Sequence, residues 1–161
     1  MNYKKIFSRF EEVLANAAPS LSKDKEKRMY NIINSDLPNI RIYGLKRTKL
    51  DQTVRDIDKE FSSATYQEAV NVFKNLIASN IHEEKFAGIY YLNRFKRDFT
   101  EETIKLFYRQ FKKHCTSWPI CDSTMIKVIG PFLAKKKNQD VAMKTIFKWA
   151  KSDNMWIRRA S

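Results

Sequence analysis

Three glycines and four prolines in 161 residues leave this chain few of the means by which a sheet fold makes its turns. Over the same length the apolar residues return at a helical period. Ile6, Phe10, Val13, Leu14 and Ala17 share one face of a first helix, which Pro19 closes. The stretch SKDKEKRMYNIINS gives a second helix with Met29, Ile32 and Ile33 turned inward. DLPNIRIYGLKRTKL breaks the period at Pro38 and Gly44, and Thr48 is placed to cap a third helix carrying Leu50, Val54, Ile57 and Phe61. TYQE at 65–68 has the form of a capping box: Thr65 accepts from the third backbone amide while Glu68 reaches back. Its helix carries Ala69, Val70, Phe73, Leu76 and Ile77, and the next, within HEEKFAGIYYLNRFK, carries Phe86, Ile89, Tyr90 and Phe95. Thr100 opens a helix striped by Ile104, Phe107, Tyr108, Phe111 and Cys115.

Beyond it, Asp122 opens a helix with Met125, Val128, Ile129 and Phe132, DVAMKTIFKWAKS forms another, and NMWIRRAS begins one more. Starts near 48, 65, 81, 100, 120, 139 and 155 lie about 15–20 residues apart, so a pair of helices recurs every 35–40 or so, the range of paired-helix solenoids. No strict sequence repeat accompanies the spacing, and a compact bundle is the competing architecture. The expectation is all-α: a right-handed α-solenoid of antiparallel HEAT-like helix pairs, about nine helices in one domain over residues 1–161.

Hydrophobic residues make up 43% and charged residues 30%, a balance that excludes a disordered chain. The net charge of +13 directs the protein towards polyanions or anionic surfaces. MNYKKIFSRF has charges where a signal peptide needs an apolar stretch, and no apolar run approaches the ~20 residues that span a bilayer. Cys115 and Cys121 lack the partners of a four-ligand metal site; reduced thiols in an intracellular protein, with no cofactor or metal, account for them.

Basic residues interleave with aromatics in YRQFKKH (108–114), NRFKRDF (93–99) and KWAKSDNMWIRR (148–159). At helical spacing the aromatics belong to the core and the cations face out, either as a solvated helix face or as a surface that neutralises phosphates. AKKKNQD at 134–140 is a polar loop, and His82 is a polar residue of a first helical turn. Glycine-rich phosphate loops, zinc-binding HExxH helices and GxSxG elbows are all missing.

Three stretches together resemble the DNA alkylation repair enzymes of the AlkD-like kind. WPICDSTMIKVIGPFL is similar to a segment in which Trp-x-x-x-Asp-Ser precedes a helix and a glycine follows; Trp118, Asp122, Ser123 and Gly130 fill those places. WAKSDNMWIRRAS resembles a downstream stretch through Trp149, Ser152, Asn154, Trp156, Arg159 and Ala160. IYGLKRTKLDQTVRDI resembles an early aromatic-x-Gly element, with KRTKL in place of the usual proline-containing version. The resemblance covers about residues 23–161.

It implies HEAT-like helix pairs that hold double-stranded DNA on a basic face, and hydrolysis of the N-glycosidic bond of N3- or N7-alkylated purines. Such a purine is cationic and leaves readily; positive charge then develops on the deoxyribose. The resemblance makes Asp122 the carboxylate that stabilises this charge or positions water, with Trp118 as an apolar wall against the sugar. Arg159, with Arg158, would grip a phosphate, while Trp156 and Tyr30 would lie near the DNA, although an insertion separates Tyr30 from Gly44. Structural roles stand beside these: Asp122 as an N-cap bonded to the amides of Thr124 or Met125, Trp118 as filling between helices, Arg159 as a solvated side chain.

The final helix stops where relatives continue, and they add further helices and another DNA-facing tryptophan. An end left uncovered this way leads us to expect self-association or marginal stability. Three functions follow: a glycosylase for cationic alkylpurines, a duplex-binding module that does not cleave, or a helical scaffold for an acidic protein partner.

Overall fold

A computed structural model describes residues 2–161, and the chain is all-helical. It divides into two compact units, one ending at Phe95 and the other running from Lys96 to Ser161.

The first unit holds α1 (Asn2–Asn16), α2 (Lys23–Ile33), α3 (Arg47–Glu60), α4 (Tyr66–Ile77) and α5 (His82–Arg94). Helix α1 buries Ile6, Phe10 and Leu14 completely, one turn apart as its period requires, and packs on α3, α4 and α5. The expected capping box stands at the head of α4: the Glu68 amide donates to Thr65 Oγ1 (3.3 Å) and the Thr65 amide to Glu68 Oε2 (3.0 Å). Two expectations need correction. Ile32 lies 60% exposed, because Ile33, with the half-buried Met29 and Tyr30, forms the inner face of α2. Thr48 does not cap α3, which starts at Arg47 with Lys46 in the cap position.

Helix α5 is enclosed by α1, α3 and α4, and every residue from His82 to Leu92 is buried. Three of them carry charge, so each must find a partner. Glu83, 4% exposed, accepts from three successive backbone amides of the α2–α3 loop: Tyr43 (2.9 Å), Gly44 (2.7 Å) and Leu45 (3.2 Å). Glu84 accepts from the Tyr43 hydroxyl (2.7 Å) and from Ser79 Oγ. Lys85 Nζ donates to the carbonyl of Ile77 at the end of α4 (2.7 Å). Curling three N–H groups around one carboxylate needs a left-handed residue at the centre, and Gly44 supplies it with φ +79°. A side chain there would also meet Leu21 Cδ1 at 2.4 Å. Arg41 fastens the same loop: its amide donates to Asn80 O (2.8 Å), and its carbonyl accepts from the His82 amide (2.9 Å).

The second unit holds α6 (Glu101–His114), α7 (Trp118–Thr124), α8 (Gly130–Leu133), α9 (Gln139–Ala150) and α10 (Met155–Arg159). Helices α7 and α8 form one rod joined by a π-helical turn over Met125–Ile129. Pro131 explains that turn. It has no N–H to donate, and in a regular helix its ring would strike the carbonyl four residues back. The wider turn relieves both, closing with a Gly130 amide bond to Met125 O, five residues earlier. A side chain at Gly130 would stand 2.6 Å from that oxygen. The core gathers Ile104, Phe107 and Phe111 of α6 with Ile120, Val128 and Ile129 of the rod, and with Trp149, Trp156 and Ile157. The 134–140 loop contains a short 3-10 turn, where buried Asn138 donates from Nδ2 to Phe132 O (2.8 Å).

Candidate active site

The cap of helix α7 lies five residues before Asp122, the expected one. Ser117 occupies the cap with extended backbone, and Pro119 falls in the first turn, where a missing N–H costs nothing. Asp122 is therefore not the cap that the sequence suggested. It lies one turn inside the helix, at the i+4 position from Trp118, so indole and carboxylate occupy the same face. Trp118 is 41% exposed and the Asp122 side chain 31% exposed.

Helix α10 brings the counter-charge. Asn154 caps it by accepting from the Ile157 amide (3.1 Å), and Asn154 Nδ2 donates to Lys112 O on α6 (3.3 Å). Trp156 and Ile157 turn into the core, which leaves Arg158 and Arg159 outside. The Cys121 thiol donates to Trp156 O (3.5 Å), tying α7 to α10 next to the site. Arg159 then meets Asp122 as a two-pronged fork: Nε to Oδ1 and Nη2 to Oδ2, both 2.7 Å. Planar pairing of this kind fixes the carboxylate in orientation as well as position. The Arg159 hydrogen bonds hold the Asp122 carboxyl below its ordinary range, and the same contact raises the guanidinium. Asp122 is thus a carboxylate throughout the neutral range, and Arg159 Nη1 takes no part in the fork.

The remaining candidates fall in different places. Arg158 donates from Nη1 to Ser152 O (2.7 Å), bracing the α9–α10 loop. Trp156 is 9% exposed and offers a bound strand almost no surface. Tyr30 lies half-buried on α2, in the first unit. Both cysteines are buried and outside any disulfide, and among the described residues no cluster of His, Cys, Asp or Glu could hold a metal ion. No helix among the described residues is long and apolar enough to cross a membrane.

Chemically, the site offers a fixed anion beside an exposed aromatic face, with a guanidinium that retains unused donors. Sequence reasoning overlooked the charged turn Glu83–Lys85, whose signal was available. Three charges open a helix whose later residues are apolar on every side, so no solvent face remains for them. The family model described as DNA alkylation repair enzyme matches residues 12–161, and no curated protein matches the chain.

Proposed function

We propose, for a chain that belongs to the DNA alkylation repair enzyme family, that it hydrolyses the N-glycosidic bond of cationic N3- or N7-alkylated purines in duplex DNA. The observation that carries this reading is the Asp122–Arg159 fork beside exposed Trp118. As the alkylated base leaves, its electrons go with it, the purine becomes neutral, and the deoxyribose acquires oxocarbenium character. An oriented carboxylate next to that sugar opposes the new positive charge. At about 4 Å and surface-like screening the attraction is about 4 kcal/mol, roughly a thousandfold in rate. Asp122 also accepts a hydrogen bond from the water whose oxygen bonds to the anomeric carbon; that water gives up one proton to solvent through the carboxylate, and the products are an abasic sugar and the neutral purine.

Trp118 forms the wall against which the sugar packs, excluding water that would screen the attraction. Arg159 holds Asp122 in place and keeps it ionised. Its free Nη1 reaches a backbone phosphate, which divides the guanidinium between two anions and leaves the carboxylate the stronger partner for the sugar. The surplus of positive charge supplies the long-range attraction to DNA. Such a substrate places the protein wherever the cell keeps its DNA.

A second reading, duplex binding without cleavage, is favoured by one observation: both Asp122 oxygens already carry a bond from Arg159. Incubating the purified chain with methylated duplex separates the two. Free 7-methylguanine in the supernatant is the outcome expected for the enzyme. Salt-sensitive binding with no released base supports the second reading, and no duplex binding at low salt overturns both.

A further inference from the structure

Asp122 stands on α7 and Arg159 on α10, whereas α6 and α9 carry a different set of charges. Between α6 and α9 runs a groove of about 310 Å³ that the ion pair does not use. Its walls are two ladders of like charge. Lys105 and Arg109 stand one turn apart on α6, and Lys144 and Lys148 one turn apart on α9. Like charges at this spacing oppose their own helix, and here two such pairs face each other across the groove. One carboxylate, Glu101, lines it; Glu101 and Glu102 engage Lys105 at 3.6 and 2.7 Å. Arg109 and Lys144 make no salt bridge among the described residues, although Arg109 also acts on Glu102 at longer range.

The floor is aromatic. Tyr108 and the buried Trp149 lie with ring centroids 6.0 Å apart, and Lys148 Nζ stands 5.2 Å over the tyrosine ring. Flexible cations above a flat apolar floor suit an anion that carries a planar ring. We propose that the α6–α9 groove is a second phosphate-binding site, taking a phosphoryl group joined to a flat ring as a nucleotide presents it. Arg109, Lys144 and Lys148 hold the phosphoryl oxygens while the ring lies along Tyr108. A strand of nucleic acid and a free nucleotide both present this chemistry.

Two triple variants of the full chain test the site. The first is Arg109→Gln, Lys144→Gln, Lys148→Gln, all exposed; the second is Lys4→Gln, Lys5→Gln, Lys59→Gln, equally exposed, removing the same charge elsewhere. Binding of undamaged duplex is measured against salt, and binding of deoxyadenosine monophosphate by calorimetry. Use of undamaged duplex keeps the result independent of whether the chain releases bases. If a strand occupies the groove, the groove triple loses about two to three units of salt slope and the control does not. If free nucleotide is the occupant, mononucleotide affinity falls more than tenfold and the slope is unchanged. Equal behaviour of the two triples in both assays, or no binding of either ligand by the unaltered chain, overturns the proposal. Should the groove triple fail to fold, Lys144→Gln alone is expected to lose about one unit of slope or several-fold in nucleotide affinity; no change in either overturns the site.

Discussion

Replacing Glu83 should cost more than any single exposed substitution in this protein. Three backbone amides of residues 43–45 depend on its two oxygens, at 2.9, 2.7 and 3.2 Å. In Glu83→Gln the amide oxygen still serves Gly44 and Leu45, but the Tyr43 amide then faces an NH2 group. One buried donor left unmet costs about 1–3 kcal/mol. In Glu83→Ala all three lose their acceptor; with water recovering part, the cost is about 3–5 kcal/mol. At about 2–4 °C per kcal/mol for a chain of this length, the melting temperature falls by roughly 2–12 °C and 6–20 °C respectively. Urea unfolding should show the midpoints moving in that order at constant m-value. Trypsin should cleave the alanine variant faster at Arg41 or Lys46, since the loop loses its anchor. An alanine variant within about 1 kcal/mol of the parent, or a glutamine variant less stable than alanine, would refute the reasoning.

His82 gives a dependence on pH. Burial, with Lys85 nearby, lowers its pKa to about 4, so the unfolded chain protonates first as the pH falls. The unfolded value is about 6.5, and stability should therefore be lost between about pH 6.5 and 4, by about 3 kcal/mol at the limit. His82→Gln should flatten that limb of a stability profile; an unaltered limb would assign the loss elsewhere. On α9 the apolar side chains Met143, Ile146 and Phe147 form an exposed stripe at helical spacing. We expect two copies to associate through it, giving a sedimentation coefficient that rises with concentration and stops rising in Phe147→Glu. A monomer at every concentration in the parent protein would contradict this.

The helices were legible because local chemistry decides them. Thr65 with Glu68, and the apolar spacing beyond it, placed the starts of α3 to α7, α9 and α10 within a few residues, while the break before α8 at the π-turn was not foreseen. The one shift near the site came from a choice between two capping residues. Ser117 and Asp122 can each cap, and Pro119 decides for the earlier one because proline fits a first turn. That choice converts Asp122 from a helix cap into a side chain available for chemistry. Its pairing with Arg159, 37 residues away, could not be read from either segment, because nothing local to either one specifies the other. Ile32 deceived in a simpler way: an apolar residue on a short helix need not face in when its neighbours supply the buried face. The charged turn Glu83–Lys85 hid behind the habit of assigning charge to surface, and only the docked loop shows where those charges go.

Single-turnover release of 7-methylguanine from a duplex carrying one lesion, compared between the parent chain and Asp122→Asn, addresses the carboxylate directly. The substitution keeps the side chain's size and removes its charge. The expected result is a rate lower by about 10²–10³-fold with duplex affinity changed little. An undiminished rate in Asp122→Asn would contradict it.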